Sequence, residues 1–275
     1  MRGSAVDASF RLNYEVHDGE GPYLFLLHGF LSSRLQWSPN LAALASVARP
    51  VTFELWGHGL SPTPEMDLAY RIDSYVSQLD CVRKTLGASK IILCGQSFGA
   101  CVTLRYSIEH PDHVMAQIFT NSASALSQVD PSRPEAIADA VERYGAEAIT
   151  SLSMHPRRAR RLPVSLRDQM AAEADRVNPQ AVIKSMRITA RDASVAADLH
   201  LIDCPTLLIN GSWESHFQPL RVAAAQEIAG CQVVDLPAGH AVNLELPAAF
   251  NDSVVQFIAG LGAPGAAGDQ HIDRC

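Results

Sequence analysis

Six short apolar runs, each bounded by turn residues, constrain the fold of this chain most strongly. Runs that are apolar throughout, rather than at alternate positions, are typical of strands covered on both faces, as in a parallel sheet. Helical patterns separate several of these runs, so the order strand, helix, strand recurs and predicts an α/β fold. The predicted strands cover residues 23–27, 51–55, 90–94, 115–120, 206–210 and 232–236.

Periodicity also predicts two helices and a first strand. Apolar residues recur at helical spacing from Ile72 to Leu86 and the pattern stops at Gly87, while a second helix is predicted over residues 100–110. Residues 10–16 alternate between polar and apolar and then reach a turn. This pattern predicts the first arm of a hairpin at the start of the sheet.

The strand pattern is interrupted between residues 124 and 199. This segment is rich in Ala, Arg, Glu and Gln, and five prolines break it into short pieces. We predict a helical cap over residues 124–199, inserted into an α/β core formed by residues 1–123 and 200–261. Residues 262–275, rich in Gly and Ala, are predicted to form a flexible tail.

The basic cluster at residues 155–161 (HPRRARR) has two interpretations. It is either a solvated helix face that supplies salt-bridge donors, or an anion-binding group that meets a carboxylate substrate. The sequence leaves the role of Arg157 to Arg161 open.

Composition excludes several partners and cofactors. A net charge of −7 leaves no basic surplus for nucleic acid. The sequence has neither a signal-peptide pattern nor an apolar stretch of bilayer length, so we expect a cytoplasmic protein with no membrane partner. The six cysteines are scattered without a CxxC pair and read as reduced structural thiols. No motif predicts a nucleotide, flavin or metal cofactor.

The motif GQSFG, residues 95–99, places Ser97 between a predicted strand and a predicted helix. A G-x-S-x-G sequence in this position forms a sharp turn that lifts the serine hydroxyl clear of the sheet. The alternative is a loop whose serine only caps the helix. We predict that Ser97 is a nucleophile.

A serine nucleophile needs a base, and the base needs a carboxylate. His240 follows the last predicted strand and precedes the final helix, which puts it at the same sheet edge. Glu214 lies four residues beyond the strand at 206–210. A packed histidine and a solvated glutamate are the alternatives for these two residues. The rival acids are Asp198, Asp203 and Asp235.

The predicted oxyanion site consists of the backbone N–H groups of Phe30 and Phe98. Gly29 permits close approach, and His28 orients the loop by hydrogen bonding rather than by proton transfer. An aromatic residue in such a loop packs against the core as often as it lines a substrate pocket. With this alternative open, the predicted substrate pocket comprises His28, Gly29, Trp37, Trp213 and Phe217.

On these motifs the sequence resembles the α/β-hydrolase superfamily over about residues 10–261. It is most similar to enol-lactonases, small carboxylesterases and C–C bond hydrolases, which share a helical cap and a Ser-His-acid triad. The motifs are HGF (28–30), WGHGLS (56–61), GQSFG (95–99), CPTLLINGSWE (204–214) and AGHAVNLELPAAF (238–250).

The resemblance implies that Ser97 is nucleophile, His240 base and Glu214 acid, with Phe30 and Phe98 as oxyanion donors. Two positions depart from the usual pattern, because the family commonly has Asp where this chain has Glu214 and Glu54. Relatives with an Asp nucleophile, the haloalkane dehalogenases and epoxide hydrolases, are set aside because this chain has Ser97 at the centre of the GQSFG turn.

We therefore expect a serine hydrolase that cleaves a small ester or lactone through an acyl-enzyme intermediate, with a small acyl molecule as its partner. One alternative is a hydrolase of C–C bonds in a ketone-containing metabolite. Another is a ligand-binding receptor of the same fold that turns over slowly.

Overall fold

A mostly parallel sheet of seven strands forms the centre of the computed structural model, which describes residues 10–128 and 130–261. The strand order is β1-β3-β2-β4-β5-β6-β7, and every neighbouring pair is parallel except β1 and β3. The strands are β1 (Tyr14–Val16), β2 (Tyr23–Leu27), β3 (Arg49–Phe53), β4 (Ile91–Gly95), β5 (Val114–Thr120), β6 (Thr206–Gly211) and β7 (Gln232–Leu236). The predicted fold class is confirmed, whereas the predicted tail at 262–275 lies outside the described residues.

Two sequence predictions about the sheet are wrong. β1 does not form a hairpin with β2, because both edges of β2 are taken by parallel neighbours; it pairs instead with the outer edge of β3. β3 also begins two residues before the prediction. Pro50 lies inside it, and its carbonyl accepts the His17 N–H at 2.9 Å just beyond the last paired residue of β1, so the missing proline N–H falls where the edge pairing ends.

The described ranges contain eleven α-helices, of which five lie between β5 and β6. None of them is long and apolar enough to cross a bilayer. The helices are α1 (Leu41–Leu44), α2 (Ile72–Thr85), α3 (Phe98–Glu109), α4 (Ala123–Leu126), α5 (Ser132–Tyr144), α6 (Ala146–Ser151), α7 (Val164–Ala174), α8 (Pro179–Arg187), α9 (Gln218–Glu227), α10 (Val242–Glu245) and α11 (Pro247–Gly260). Short 3-10 turns occur at Arg34–Trp37, Asp67–Tyr70, Pro111–His113, Pro156–Arg158, Thr189–Arg191, Leu199–Leu201 and Ser215–Phe217.

Apolar layers cover both faces of the sheet. Successive residues of β2 point to opposite faces: Phe25 joins the layer that contains α2 and α3, and Leu26 joins the layer that contains α11. This double coverage explains why the strands are apolar throughout rather than at alternate positions. It also leaves the strand ends, rather than the faces, as the place where polar side chains can gather.

The described residues between β5 and β6 contain helices and no strand, and we call residues 124–199 the predicted cap. Its helices pack around a small apolar cluster that includes Val141 of α5, Val182 of α8 and Leu31 of the loop after β2. A second cluster joins the predicted cap to the segment after β7 through Leu162, Met170 and Leu244. The predicted cap therefore contacts the core next to the loop that carries His240.

Candidate active site

Ser97 occupies the sharp turn between β4 and α3. Its φ of 52° and ψ of −114° are unusual for a residue with a side chain, and its side chain is half-buried rather than enclosed. The flanking glycines make room for the turn. A Cβ on Gly99 would lie 2.3 Å from the carbonyl oxygen of Leu27, and one on Gly95 would lie 2.5 Å from the Cα of Ala100. The helix begins at Phe98, two residues before the predicted start, because this close approach lets it follow Ser97 directly.

Backbone strain in the described residues is concentrated at this turn and at the loop after β2. Ser97 and Leu31 are the two non-glycine residues there with positive φ, at 52° and 56°. Such conformations cost of order 1–3 kcal/mol each and persist where surrounding contacts enforce them. Both residues border the position predicted for the oxyanion.

Glu214 and His240 meet at the carboxyl edge of the sheet, in the loops after β6 and β7. The Nδ1 atom of His240 lies 3.0 Å from each carboxylate oxygen of Glu214. An ionised carboxylate only accepts hydrogen bonds, so Nδ1 carries the proton and Nε2 is left with its lone pair. His240 is 47% exposed at its side chain, which leaves the ring open to a substrate.

The carboxylate of Glu214 is held in its ionised form. Burial raises its pKa, but hydrogen bonds and charge from His240, a hydrogen bond from Asn121 and the charge of His216 outweigh that effect, so the pKa lies below its usual value. Asn121 Nδ2 donates to Oε2 at 2.7 Å, and His216 Nε2 lies 3.0 Å from Oε1. The result is an acid fixed in position and charge.

The rival acids have other surroundings. Asp235 pairs with Arg221 at 2.7 Å, Asp198 lies 3.8 Å from Arg105, and Asp203 is exposed. None of the three hydrogen-bonds to His240 among the described residues.

Two residues that the sequence analysis did not single out connect the parts of the site. Gln96 Nε2 donates to the carbonyl oxygen of His240 at 3.2 Å, which ties the histidine loop to the serine turn. Asn121, at the end of β5, also accepts the Gly211 N–H at 2.8 Å and so fixes the acid loop. The sequence signal that could have identified Asn121 is its position directly after a buried strand. Among the described hydrogen bonds, Ser97 Oγ does not bond directly to His240.

His28 fixes the loop after β2 as a neutral ring. Its Nδ1 donates to the carbonyl oxygen of Gly29 at 2.7 Å, and its Nε2 accepts the Leu55 N–H at 3.1 Å. Complete burial, helped by the charge of His58, lowers the pKa of His28 to about 3. This arrangement fits the predicted orienting function and leaves no lone pair for proton transfer.

His58 supports the same loop from the turn after β3. Its Nε2 accepts the Leu31 N–H at 3.2 Å, and burial lowers its pKa to about 4. Glu54, the departure noted in the sequence, is buried and caps this turn by accepting the Leu60 N–H at 2.6 Å. Glu54 therefore stabilises a turn rather than contacting the reacting groups.

The predicted oxyanion donors lie on two segments that touch. A Cβ on Gly29 would lie 3.2 Å from the Cβ of Ser97, so the loop that carries Phe30 packs against the serine turn. In the described residues, neither the Phe30 N–H nor the Phe98 N–H donates a hydrogen bond. Both donors are therefore available to a ligand.

The structure corrects most of the predicted pocket. Trp37 and Phe217 have no exposed surface: Trp37 packs against Phe250 behind the sheet, and Phe217 lies in the opposite apolar layer. His28 is equally closed off, and Gly29 is buried. Trp37 and Phe217 therefore belong to the core. A loop aromatic is buried when other segments of the chain pack over it, which its own sequence does not show. Trp213 is 57% exposed and remains a candidate contact.

The basic cluster at residues 155–161 divides into different surroundings. Arg157 pairs with Asp175 at 2.8 Å, as the salt-bridge interpretation predicts. Arg157 also borders, with Arg158 and Arg160, a cavity of about 670 Å³ within the predicted cap. Arg161 instead reaches the core beside Trp213. Three of the four arginines therefore share one cavity, and Arg161 lies apart from them.

Comparisons with known proteins agree with the fold. A family profile described as the alpha/beta hydrolase fold matches residues 22–247. A Bacillus subtilis (strain 168) protein, provisionally named 2-succinyl-6-hydroxy-2,4-cyclohexadiene-1-carboxylate synthase, is 25% identical, with 93% of this chain and 98% of that protein covered. Carboxylesterase YbfK of the same organism is 27% identical, with 88% of this chain and 81% of that protein covered.

A solved structure extends the comparison. The enol-lactonase from Burkholderia xenovorans LB400 matches with a TM-score of 0.80 at 25% identity, covering 90% of this chain and 96% of that chain. The likeness therefore extends over most of both chains.

Proposed function

The chain belongs to the alpha/beta hydrolase fold family, and from this premise we propose that it is a serine hydrolase that cleaves a small carboxylic ester or lactone. The observation that carries the proposal is the contact between His240 and Glu214 beside the strained serine turn. The named carboxylesterase and enol-lactonase relatives support this reaction class.

The proposed reaction transfers a proton from Ser97 to His240 and then from His240 to the leaving group. Ser97 Oγ attacks the acyl carbon while its proton passes to His240 Nε2, and the oxyanion accepts hydrogen bonds from the N–H groups of Phe30 and Phe98. The C–O bond then breaks, and His240 returns the proton to the leaving alcohol oxygen. Water repeats the sequence on the acyl-enzyme and releases the acid and free Ser97. Glu214 stabilises the positive charge that His240 carries in each step.

The cellular setting belongs to the same proposal. We expect a cytoplasmic enzyme whose partner is a small acyl molecule, and the exposed ring of His240 fits access from water. A net charge of −7 argues against nucleic acid as the substrate.

The proposal is tested by assaying short and medium p-nitrophenyl esters and a panel of lactones with wild-type protein, Ser97→Ala and Ser151→Ala. Ser151 makes the same substitution at an exposed site in the predicted cap and serves as the matched control. We expect Ser97→Ala to lower kcat/KM by at least about 10³-fold and Ser151→Ala to change it by less than about twofold.

Circular dichroism checks that each variant is folded. If folded wild-type protein turns over no ester or lactone, the proposal fails. Carbon–carbon bond cleavage and ligand binding without turnover are then the functions to test.

A further inference from the structure

Arg161 is the residue of the predicted cap that contacts the loop of the catalytic acid. Its guanidinium carbon lies 4.8 Å from the ring centroid of Trp213, the residue directly before Glu214. A guanidinium over an indole face at this distance is a favourable cation–π contact, worth more for Trp than for other aromatics. The predicted cap thus contacts the loop that carries Glu214 through Arg161.

The same guanidinium also contacts the loop of the catalytic base. Arg161 Nε lies 3.8 Å from Oε2 of Glu245, and that oxygen accepts the N–H of Gly239, next to His240, at 2.8 Å. A Cβ on Gly239 would lie 2.7 Å from Arg161 Nη1, so the guanidinium occupies the space where a side chain at 239 would stand. One side chain therefore touches both loops that carry the acid and the base.

The neighbouring arginines do not share this position. Arg160 carries the same charge one residue earlier, yet it faces the cavity in the predicted cap and has no ion pair among the described residues. The apolar contact of Leu162 with Leu244 lies directly after Arg161 and anchors the same stretch to the segment behind His240. The geometry distinguishes Arg161 from a general basic surface.

We propose that Arg161 is a positioning residue that holds the Glu214 and His240 loops in register with each other from the predicted cap. The inference rests on the proposed serine hydrolase function. Without the guanidinium, Trp213 and Glu245 lose their common contact, and the two loops lose a shared support.

Trp213 supplies a readout of the contact that does not depend on catalysis. The chain has three tryptophans, and Trp37 and Trp56 have no exposed surface, whereas Trp213 is 57% exposed. Acrylamide, a neutral quencher, therefore reports mainly on Trp213. Removal of Arg161 exposes the face of the indole that the guanidinium covers.

The experiment compares Arg161→Gln with Arg160→Gln, which removes the same charge one residue away, and with Arg161→Lys, which keeps the charge. In Arg161→Gln we expect stronger acrylamide quenching and a kcat lower by about three- to tenfold, with KM changed by less than about twofold, from the loss of one cation–π contact and one exposed ion pair. Arg161→Lys should recover part of kcat, and Arg160→Gln should match wild type in both readouts. Trp213→Phe establishes which fraction of the fluorescence is quenched.

Several results overturn the proposal. An unchanged kcat in Arg161→Gln, or a rise in KM alone, shows that Arg161 does not order the acid and base. Equal quenching in wild type and variant shows that the contact with Trp213 does not exist in solution. Failure of the proposed function looks different, because wild-type protein would then neither hydrolyse esters nor react with a fluorophosphonate, while the difference in quenching would persist.

Discussion

The carboxyl edge of the sheet and the predicted cap are stabilised by different interactions. At the sheet edge, hydrogen bonds from buried side chains fix several groups, as when Asn121 donates to Glu214 at 2.7 Å and His58 accepts from Leu31 at 3.2 Å. The predicted cap has a small apolar cluster and exposed ion pairs, such as those of Arg187 with Glu135 and Asp139 at 2.9 and 2.7 Å.

The contrast has an energetic meaning. Exposed ion pairs contribute little to stability, whereas a buried polar group that loses its partner costs about 1–3 kcal/mol. The contacts at the sheet edge are therefore the more costly ones to break, and we expect the predicted cap to tolerate more change in shape. We also expect reaction type to depend on the first region and substrate choice on the second.

The largest effect that tests this contrast is the loss of the buried acid. Glu214→Gln should lower kcat by about 10²–10⁴-fold, because the amide can neither stabilise the charged His240 nor enforce its tautomer. Glu214→Asp, one methylene shorter, should fall between Glu214→Gln and wild type. Steady-state kinetics on the best ester measures all three.

Asp203→Asn is the matched control, since Asp203 is exposed and makes no hydrogen bond to His240 among the described residues. It should stay within about twofold of wild type. Near-normal activity in Glu214→Gln, with a large loss in Asp198→Asn or Asp235→Asn, would move the acid to another residue.

An intermediate effect concerns the two neutral histidines that hold the oxyanion loop. Their pKa values, about 3 for His28 and about 4 for His58, lie below the 6.5 of the ordinary side chain. As pH falls below about 6.5, the unfolded chain therefore binds more protons than the folded one. The free energy of unfolding should fall by up to about 1.4 kcal/mol per pH unit for each histidine until pH reaches about 4.

Urea denaturation across this pH range measures the effect. His58→Asn keeps a side-chain donor but removes one titrating ring, so its free energy of unfolding should depend less steeply on pH than that of wild type. Equal slopes for the two proteins would show that His58 does not titrate with folding.

The smallest effect separates the two regions by stability. Ile209→Val in β6 and Ile183→Val in α8 remove the same methyl group from a fully buried and a nearly buried site, 0% and 6% exposed. Each should cost about 0.5–1.5 kcal/mol. We expect Ile209→Val to lower the global free energy of unfolding, and Ile183→Val mainly to speed hydrogen exchange in α5 and α8.

Denaturant unfolding followed by fluorescence, combined with hydrogen exchange, distinguishes these outcomes. If the midpoint of global unfolding shifts equally in both variants, the core and the predicted cap unfold as one unit and do not differ in stability.

The sequence predicts the fold and the strand-end positions well because those signals are local. An apolar run followed by a turn places Ser97, Glu214 and His240 at strand ends, and parallel strands bring their carboxyl ends together. The structure brings Glu214 and His240 into contact and ties the His240 loop to the serine turn through Gln96.

Features that depend on distant packing were not predictable in the same way. Asn121 contacts Glu214 across 93 positions of sequence, and no local pattern indicates that pair. Trp37 and Phe217 read as loop aromatics, yet the layers that bury them come from elsewhere in the chain. The arginines of residues 155–161 look alike in sequence, and only the fold directs Arg161 toward Trp213.

The central claim, that Ser97 is a nucleophile activated by His240 and Glu214, is tested most directly by treating folded protein with a fluorophosphonate and locating the adduct by peptide mass spectrometry. Attack by Ser97 Oγ on phosphorus displaces fluoride, and the serine proton leaves through His240. We expect one adduct on Ser97, no adduct in Ser97→Ala, and much slower labelling in His240→Gln. No adduct on folded wild-type protein, or an adduct on another residue that persists in Ser97→Ala, would contradict it.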